Sequence, residues 1–122
     1  LRKLAKIYPQ TLFLATGEQD IVVTATKSFC LKNGVDSLEL FTGTGDIVGA
    51  LITGVLGSRI EPLEATIGAI TYFNICGEKA SSALQQGMES FRIETCNQLS
   101  KLYKENWQEM LKMEDWTNEE VK

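Results

Sequence analysis

No histidine occurs anywhere in the 122 residues. Its absence rules out Ser-His and Cys-His nucleophilic triads and zinc sites with imidazole ligands. Cysteine is scarce as well: Cys30, Cys76 and Cys96 are odd in number and far apart, which makes no thiolate zinc knot. Their apolar surroundings mark them as reduced core residues of a cytoplasmic protein. A basic surplus is also missing. Twelve Lys and Arg stand against sixteen Asp and Glu, giving a net charge of −4 and a pI of about 4.9. The scattered cations form no stripe that would release counterions from a phosphate backbone, so nucleic acid is not an expected partner. Nor is a membrane. The strongest apolar runs, 47–57 and 65–76, are too short to cross a bilayer and contain Thr, Gly or Asn. What remains is chemistry by carboxylates, hydroxyls, backbone amides or a loosely held hard cation, with no metal-ligating set to assign.

The rest is ordinary globular composition. With 43% hydrophobic and 23% charged residues and no low-complexity tract, a chain of this length buries a core without disulfides or metal. The opening residues, LRKLAKI, already have helical spacing and no signal-like apolar run. They read as a truncated or processed chain that begins inside a helix, expected over 1–8 and closed by Pro9. Residues 11–16 (TLFLAT) and 21–26 (IVVTAT) have the apolar, β-branched look of strands, with a polar turn at Glu18-Gln19-Asp20. A third strand is expected over 28–32, turned at Asn33-Gly34, a dipeptide that takes positive φ cheaply.

Residues 47–56 then form an almost uniformly apolar helix that must be buried on most faces, with Gly57 as its C′ residue. Pro62 suits the first turn of a helix running from 61 to about 83. A last amphipathic helix is expected from 90 to about 112, ahead of a frayed, charged end over 114–122. Short strands followed by three helices predict a layered α/β fold. Three short strands leave such apolar helices largely uncovered, so further sheet is expected from outside the sequence.

One segment carries chemistry: residues 41–49, FTGTGDIVG. Gly43 and Gly45 let the backbone approach a ligand closely. The free amides of a helix's first turn, backed by the macrodipole, offer a site for a phosphate oxyanion, and Thr42 and Thr44 add hydroxyl donors. A carboxylate at Asp46 would repel a bound phosphate if anion binding were its only task. It fits if it takes a proton from a substrate hydroxyl while neighbouring amides hold the transferring phosphoryl group. Asp and Thr near a helix start are also ordinary caps, and spacing alone leaves both readings open. The segment is not a Walker A loop, because no Lys-Ser/Thr follows, and its GxGxxxG spacing is one residue too long for a dinucleotide fingerprint.

Gly43-Thr44-Gly45-Asp46 resembles the G-[AT]-G-[DC] signature of the ribokinase-like superfamily, whose glycine turn is an anion hole and whose Asp is the catalytic base. Phe41-Thr42-Gly43-Thr44-Gly45 is similar to the "TGTG" turn of the hydroxyethylthiazole kinase branch, whose first glycine also approaches the thiazole, and two further segments are similar to that branch. Ala15-Thr16-Gly17-Glu18-Gln19-Asp20 resembles its "TGExD" element, in which the Thr contacts the nucleotide phosphates. Gly87-Met88-Glu89-Ser90-Phe91 resembles its "GPGSF" entry to the last helix. The resemblance covers residues 4–103 with the elements in order. It implies that the chain is the C-terminal part of a single ribokinase-like kinase domain, residues 1–122, lacking the N-terminal half of the sheet. It implies ATP and Mg²⁺, and phosphorylation of the hydroxyl of 4-methyl-5-(2-hydroxyethyl)thiazole in thiamine biosynthesis or salvage. Asp46, Gly45 and Thr44 would be the catalytic set. Thr16 and Gly43 would bind the nucleotide, and Gly43 would also approach the thiazole. A homotrimer with active sites at subunit boundaries is implied too.

Two positions depart from the pattern. Thiazole kinases usually carry Cys where this chain has Asp46; the carboxylate is the better base at neutral pH, but it also suits kinases of other small alcohols, such as hydroxymethylpyrimidine or a sugar. Gly-Pro-Gly has become Gly87-Met88-Glu89. A non-catalytic assembly module is the rival from another class. Among the remaining polar residues, Glu18 and Asp20 reach Mg²⁺ through water or are simply a solvated turn. Thr16 otherwise satisfies its own backbone. Trp107 and Trp116 read as packing residues of the terminal helix rather than base-stacking groups, and Glu61, Glu64 and Glu78 as helix-surface charges.

Overall fold

A computed structural model describes residues 1–118. After a short helix, α1 (Arg2–Ile7), come three strands: β1 (Phe13–Ala15), β2 (Asp20–Val23) and β3 (Ser28–Leu31). Each lies within its predicted segment or one residue from it. Three helices follow, α2 (Thr44–Gly57), α3 (Pro62–Ala80) and α4 (Met88–Leu99), and a last strand, β4 (Met113–Asp115). The sheet is antiparallel in the order β1-β2-β3-β4, so the fold is α/β in layers, with helices against one sheet.

Tight turns set the meander. Between β2 and β3, Thr24 N–H donates to the Lys27 carbonyl at 2.8 Å while the Thr24 hydroxyl accepts from the Lys27 amide at 3.0 Å. The register Asp20↔Leu31 and Val22↔Phe29, with its period of two, places Asp20 and Val22 on the same sheet face. That face meets α3, where Val22, Leu31 and Ile70 form one apolar cluster.

The central helix is α3. Glu61 caps it, its carboxylate accepting from the amides of Leu63 and Glu64 at 3.0 and 3.1 Å, with Pro62 in the first turn. Glu61 is therefore a cap rather than a free surface charge. Eleven of the nineteen residues of α3 are buried, including Ile70, Phe73, Ile75 and Cys76, so this helix is enclosed on several sides. The sequence predicted burial for α2 as well, but with cover from outside these residues, and in the structure α2 has no buried residue. Ile47, Val48 and Leu51 pack against the Phe41–Phe73 cluster, and Leu56 at the far end is 41% exposed. Uniform apolarity reported that α2 is a helix meant to be covered, and among the described residues it is covered on one side only.

The last helix also departs from expectation, ending at Leu99 rather than near 112. The Tyr72 hydroxyl donates to the Leu99 carbonyl at 2.7 Å and accepts from the Tyr103 amide at 3.0 Å, fixing the chain reversal there. Leu102 is fully buried beside Ile75 and Cys76, and Trp107 packs edge-on to Tyr72 with ring centroids 5.1 Å apart. The apolar residues that looked like one more helical stripe are instead 3₁₀ turns (Leu102–Lys104 and Trp107–Met110) folded back on α3. The expected frayed end begins as β4, which pairs Met113 with Leu31 and Asp115 with Phe29; its residues 119–122 lie outside those described. Trp116 donates its ring N–H to Glu114 at 2.9 Å. Arg2 ties α1 to this corner, donating to the Ser28 hydroxyl and to the Trp116 carbonyl.

The three cysteines are free, Cys30 and Cys76 buried and Cys96 half-buried. Burial pushes the Cys76 thiol up to about 12. Among the described residues no helix is long and apolar enough to cross a membrane.

Candidate functional site

A cleft of about 310 Å³ opens where three loops converge over α3. One wall is the β1–β2 turn, with Thr16, Gly17 and Glu18. The second is the loop after β3, residues 33–39. The third is the start of α2, with Thr44 and Gly45, and Phe73 and Asn74 of α3 contribute from below. The glycine turn and the Thr16 turn, 27 residues apart by their Gly17 and Thr44 positions, thus share one opening.

The turn into α2 is shaped by Gly43, whose φ of 99° lies in the left-handed region that other residues resist. The Ile47 amide makes the first helical bond, to the Gly43 carbonyl at 3.1 Å. No side chain caps α2 at Gly43, so the amides ahead of Ile47 keep the donor capacity that a helix start leaves over. Gly45 and Gly49 both line the cleft, and a Cβ built on either meets nothing within 4 Å, so the space above them is open.

Of the predicted residues, Thr16, Thr44 and Gly45 line the cleft, whereas Gly43 and Asp46 flank it. Asp46 is exposed in the first turn of α2. Within the described residues its carboxylate has no hydrogen-bond partner, and neither has the hydroxyl of Thr16 or Thr44. The ordinary alternatives, a cap at Asp46 and a self-satisfied strand-end hydroxyl at Thr16, are therefore not what these side chains do. The Gly87–Phe91 element lies away from the opening and supports it: Gly87 takes φ 113° at the start of α4, and buried Phe91 meets Phe41 edge-on at 6.0 Å, just ahead of the glycine turn.

The polar turn Glu18–Asp20 divides. Glu18 is exposed, but Asp20 is only 7% exposed, which corrects its expected solvated role. Alternation along β2 turns Asp20 toward α3, where its carboxylate accepts from Asn74 Nδ2 at 2.7 Å and from the Gly17 amide at 3.3 Å. Burial raises its pKa, the Asn74 and Gly17 hydrogen bonds offset part of that, and the nearby charge of Glu39 adds to the rise. Glu78 is likewise no plain surface charge; it accepts from Asn33 Nδ2 at 3.0 Å and from the Gly34 amide at 3.1 Å. The sequence reading missed Asn33, Asn74 and Glu78. An Asn inside the otherwise apolar stretch TYFNIC was the available signal, since a buried amide demands a partner.

Four lining residues, Glu18, Asp20, Asp36 and Glu39, are carboxylic acids, and no Lys or Arg lines the cleft. An anionic ligand here needs a cation of its own or basic groups from another segment. Among the described residues no three His, Cys, Asp or Glu side chains group to hold a metal. The exposed carboxylates at the opening are Glu18, Asp36 and Glu39, oxygen donors of the kind that suit a hard cation.

The sequence model of the hydroxyethylthiazole kinase family matches residues 1–105. The chain is similar to a hydroxyethylthiazole kinase of Enterococcus faecalis, 50% identical over 113 residues, covering 92% of this chain and 41% of that protein. It is 47% identical over 116 residues to one from Lacticaseibacillus casei, again spanning 41% of the relative's length. Among solved structures, the hydroxyethylthiazole kinase of Pyrococcus horikoshii superposes with a TM-score of 0.73 at 30% identity, over 93% of this chain and 45% of that one. The chain thus spans less than half the length of these relatives.

Proposed function

Because the chain belongs to the hydroxyethylthiazole kinase family, we propose that it supplies the catalytic C-terminal part of a kinase that transfers phosphate from ATP to the hydroxyl of 4-methyl-5-(2-hydroxyethyl)thiazole. The observation that carries the proposal is the shared opening of the Thr16–Gly17 turn and the uncapped start of α2 onto one cleft. Asp46, exposed and unpartnered, accepts the substrate proton. The amides of residues 43–46 receive the charge that develops on the phosphoryl group in flight, with the helix dipole behind them. Thr16 and Thr44 direct hydroxyls to phosphate oxygens, and Gly43 and Gly45 keep the backbone free of side chains where substrate and nucleotide meet. Glu18 would hold a bound Mg²⁺ through water, and the ion would supply charge screening for the phosphates.

The acidic lining makes the rest of the proposal concrete. Four carboxylic acids and no cation repel a nucleotide that arrives without metal, and a basic residue on the nucleotide comes from the segment of the relatives that this chain does not match. A trimer with sites at subunit boundaries, acting in the cytoplasm, completes the proposed assembly.

The test is a substrate panel. The chain is completed with the unmatched segment of the Enterococcus faecalis relative and assayed with MgATP against the thiazole alcohol, hydroxymethylpyrimidine and ribose. Preferential phosphorylation of the thiazole is expected. Turnover of the pyrimidine or the sugar instead would move the enzyme to another branch of the superfamily, and no turnover of any would sink the kinase reading.

A further inference from the structure

We propose that Glu78 is a positioning residue: with Asn74, one turn earlier on α3, it holds the two loops that wall the cleft at a fixed spacing and thereby sets the affinity for the nucleotide. The proposal rests on the kinase reading above and adds a residue to it that does not line the cleft.

Residues four apart on a helix share a face, and these two each grip one loop. Asn74 Nδ2 donates to Asp20 Oδ2 at 2.7 Å, and Asp20 Oδ1 accepts from the Gly17 amide at 3.3 Å, which fixes the Thr16–Gly17 turn. Glu78 Oε1 accepts from the Gly34 amide at 3.1 Å and from Asn33 Nδ2 at 3.0 Å, which fixes the opposite loop. The two arms meet at Gly34. Its φ of 118° turns the backbone toward α3, and a Cβ there would stand 3.3 Å from Asn74 Cγ.

Asn33 is also tied to the segment after the last helix. Its Nδ2 also donates to the Met110 carbonyl at 2.8 Å, and its Oδ1 accepts from the Lys112 amide at 2.7 Å. Asp20, Asn33 and Asn74 are each 7% exposed, so water does not readily replace a lost partner, and a missing acceptor is relieved by moving the loop. Glu78 thus acts on the ligand only through Asn33 and Gly34, which do line the cleft.

The experiment uses the completed enzyme and MgATP. Glu78→Ala is expected to raise the KM for MgATP about tenfold with kcat changed less than about threefold, because a misplaced loop weakens ground-state and transition-state binding alike. Glu78→Gln keeps one carbonyl acceptor and is expected to restore most of that loss. Ile75→Val, which disturbs the neighbouring Leu102 cluster and not the two loops, controls for lowered stability and should leave the KM where it was. Amide exchange supplies the physical readout: the Gly34 N–H should lose protection in Glu78→Ala and keep it in Glu78→Gln. An unchanged KM in Glu78→Ala with an active wild type overturns the positioning role while the kinase reading stands; an inactive wild type overturns both.

Discussion

Two aspartates at the cleft occupy opposite environments. Asp46 is exposed and has no hydrogen-bond partner within the described residues, the state a base needs if a substrate hydroxyl is to find it. In the completed enzyme Asp46→Asn is expected to lower kcat roughly 10²–10⁴-fold with little change in the KM for MgATP; a near-normal rate would remove Asp46 from the chemistry. Asp20 is buried, and its pKa is raised above the ordinary 3.8 chiefly by that burial. A raised folded-state value means that the native state holds its proton more tightly than the unfolded chain. The resulting stability is present below the unfolded pKa and is lost as pH rises through the folded one. Asp20→Asn should therefore flatten the decline in unfolding free energy seen as pH climbs from about 4 through the raised value, measured by urea denaturation across that range. An identical pH profile in the variant would show that Asp20 does not titrate as its burial implies. The position of the first aspartate, in the first turn of a helix, was legible in the sequence because glycines and an acid at a helix start are local signals. The second was not, because its partner Asn74 lies 54 residues away and only the fold joins them.

At the level of elements, what sequence periodicity revealed was type rather than environment. The strands read correctly because short apolar runs, β-branched in β2, are bounded by Gly17 and Asn33-Gly34 and are too short for helices. The end of α4 did not, because Leu102 and Trp107 continue an apolar pattern while packing through 3₁₀ turns onto Tyr72 and Ile75. β4 was hidden as well: Met113-Glu114-Asp115 is exposed at every position and is a strand only because β3 offers it an edge. A close approach that no periodicity reveals occurs at Gly77, buried in α3. A Cβ there would come within 2.6 Å of Leu38 Cδ1 and 2.8 Å of Cγ, in the 3₁₀ turn Asp36–Leu40 beside the cleft. Gly77→Ala is expected to cost about 1–3 kcal/mol by overpacking, outweighing the gain of about 1 kcal/mol that alanine brings to a helix. Denaturant midpoints would check this, and a stabilised variant would mean that the turn gives way freely.

The whole molecule shows more surface than its mass warrants. A compact monomer of 13.5 kDa exposes about 6500 Å² by the usual scaling, and this chain exposes 7727 Å², an excess of about 1200 Å². Exposed apolar side chains contribute to it at Leu40 and Tyr103, 71% and 64% exposed, and along α1 and α2. α2 buries no residue, Leu56 and Ile60 at its far end are 41% and 42% exposed, and Leu4, Ile7 and Tyr8 around α1 are 43–65% exposed. Surface of that extent and character is comparable with one side of a stable protein interface, and the relatives have more than twice the matched length. In isolation the 122 residues are expected to sediment above 13.5 kDa and to show negligible kinase turnover, since the acidic cleft has no cation of its own among the lining residues. Adding the unmatched segment of the Enterococcus faecalis relative should replace the self-association with a defined complex and bring turnover with it. Two outcomes would contradict this account of α2: a monodisperse, cooperatively unfolding monomer, or a complex that forms while the exchange protection of α2 stays unchanged.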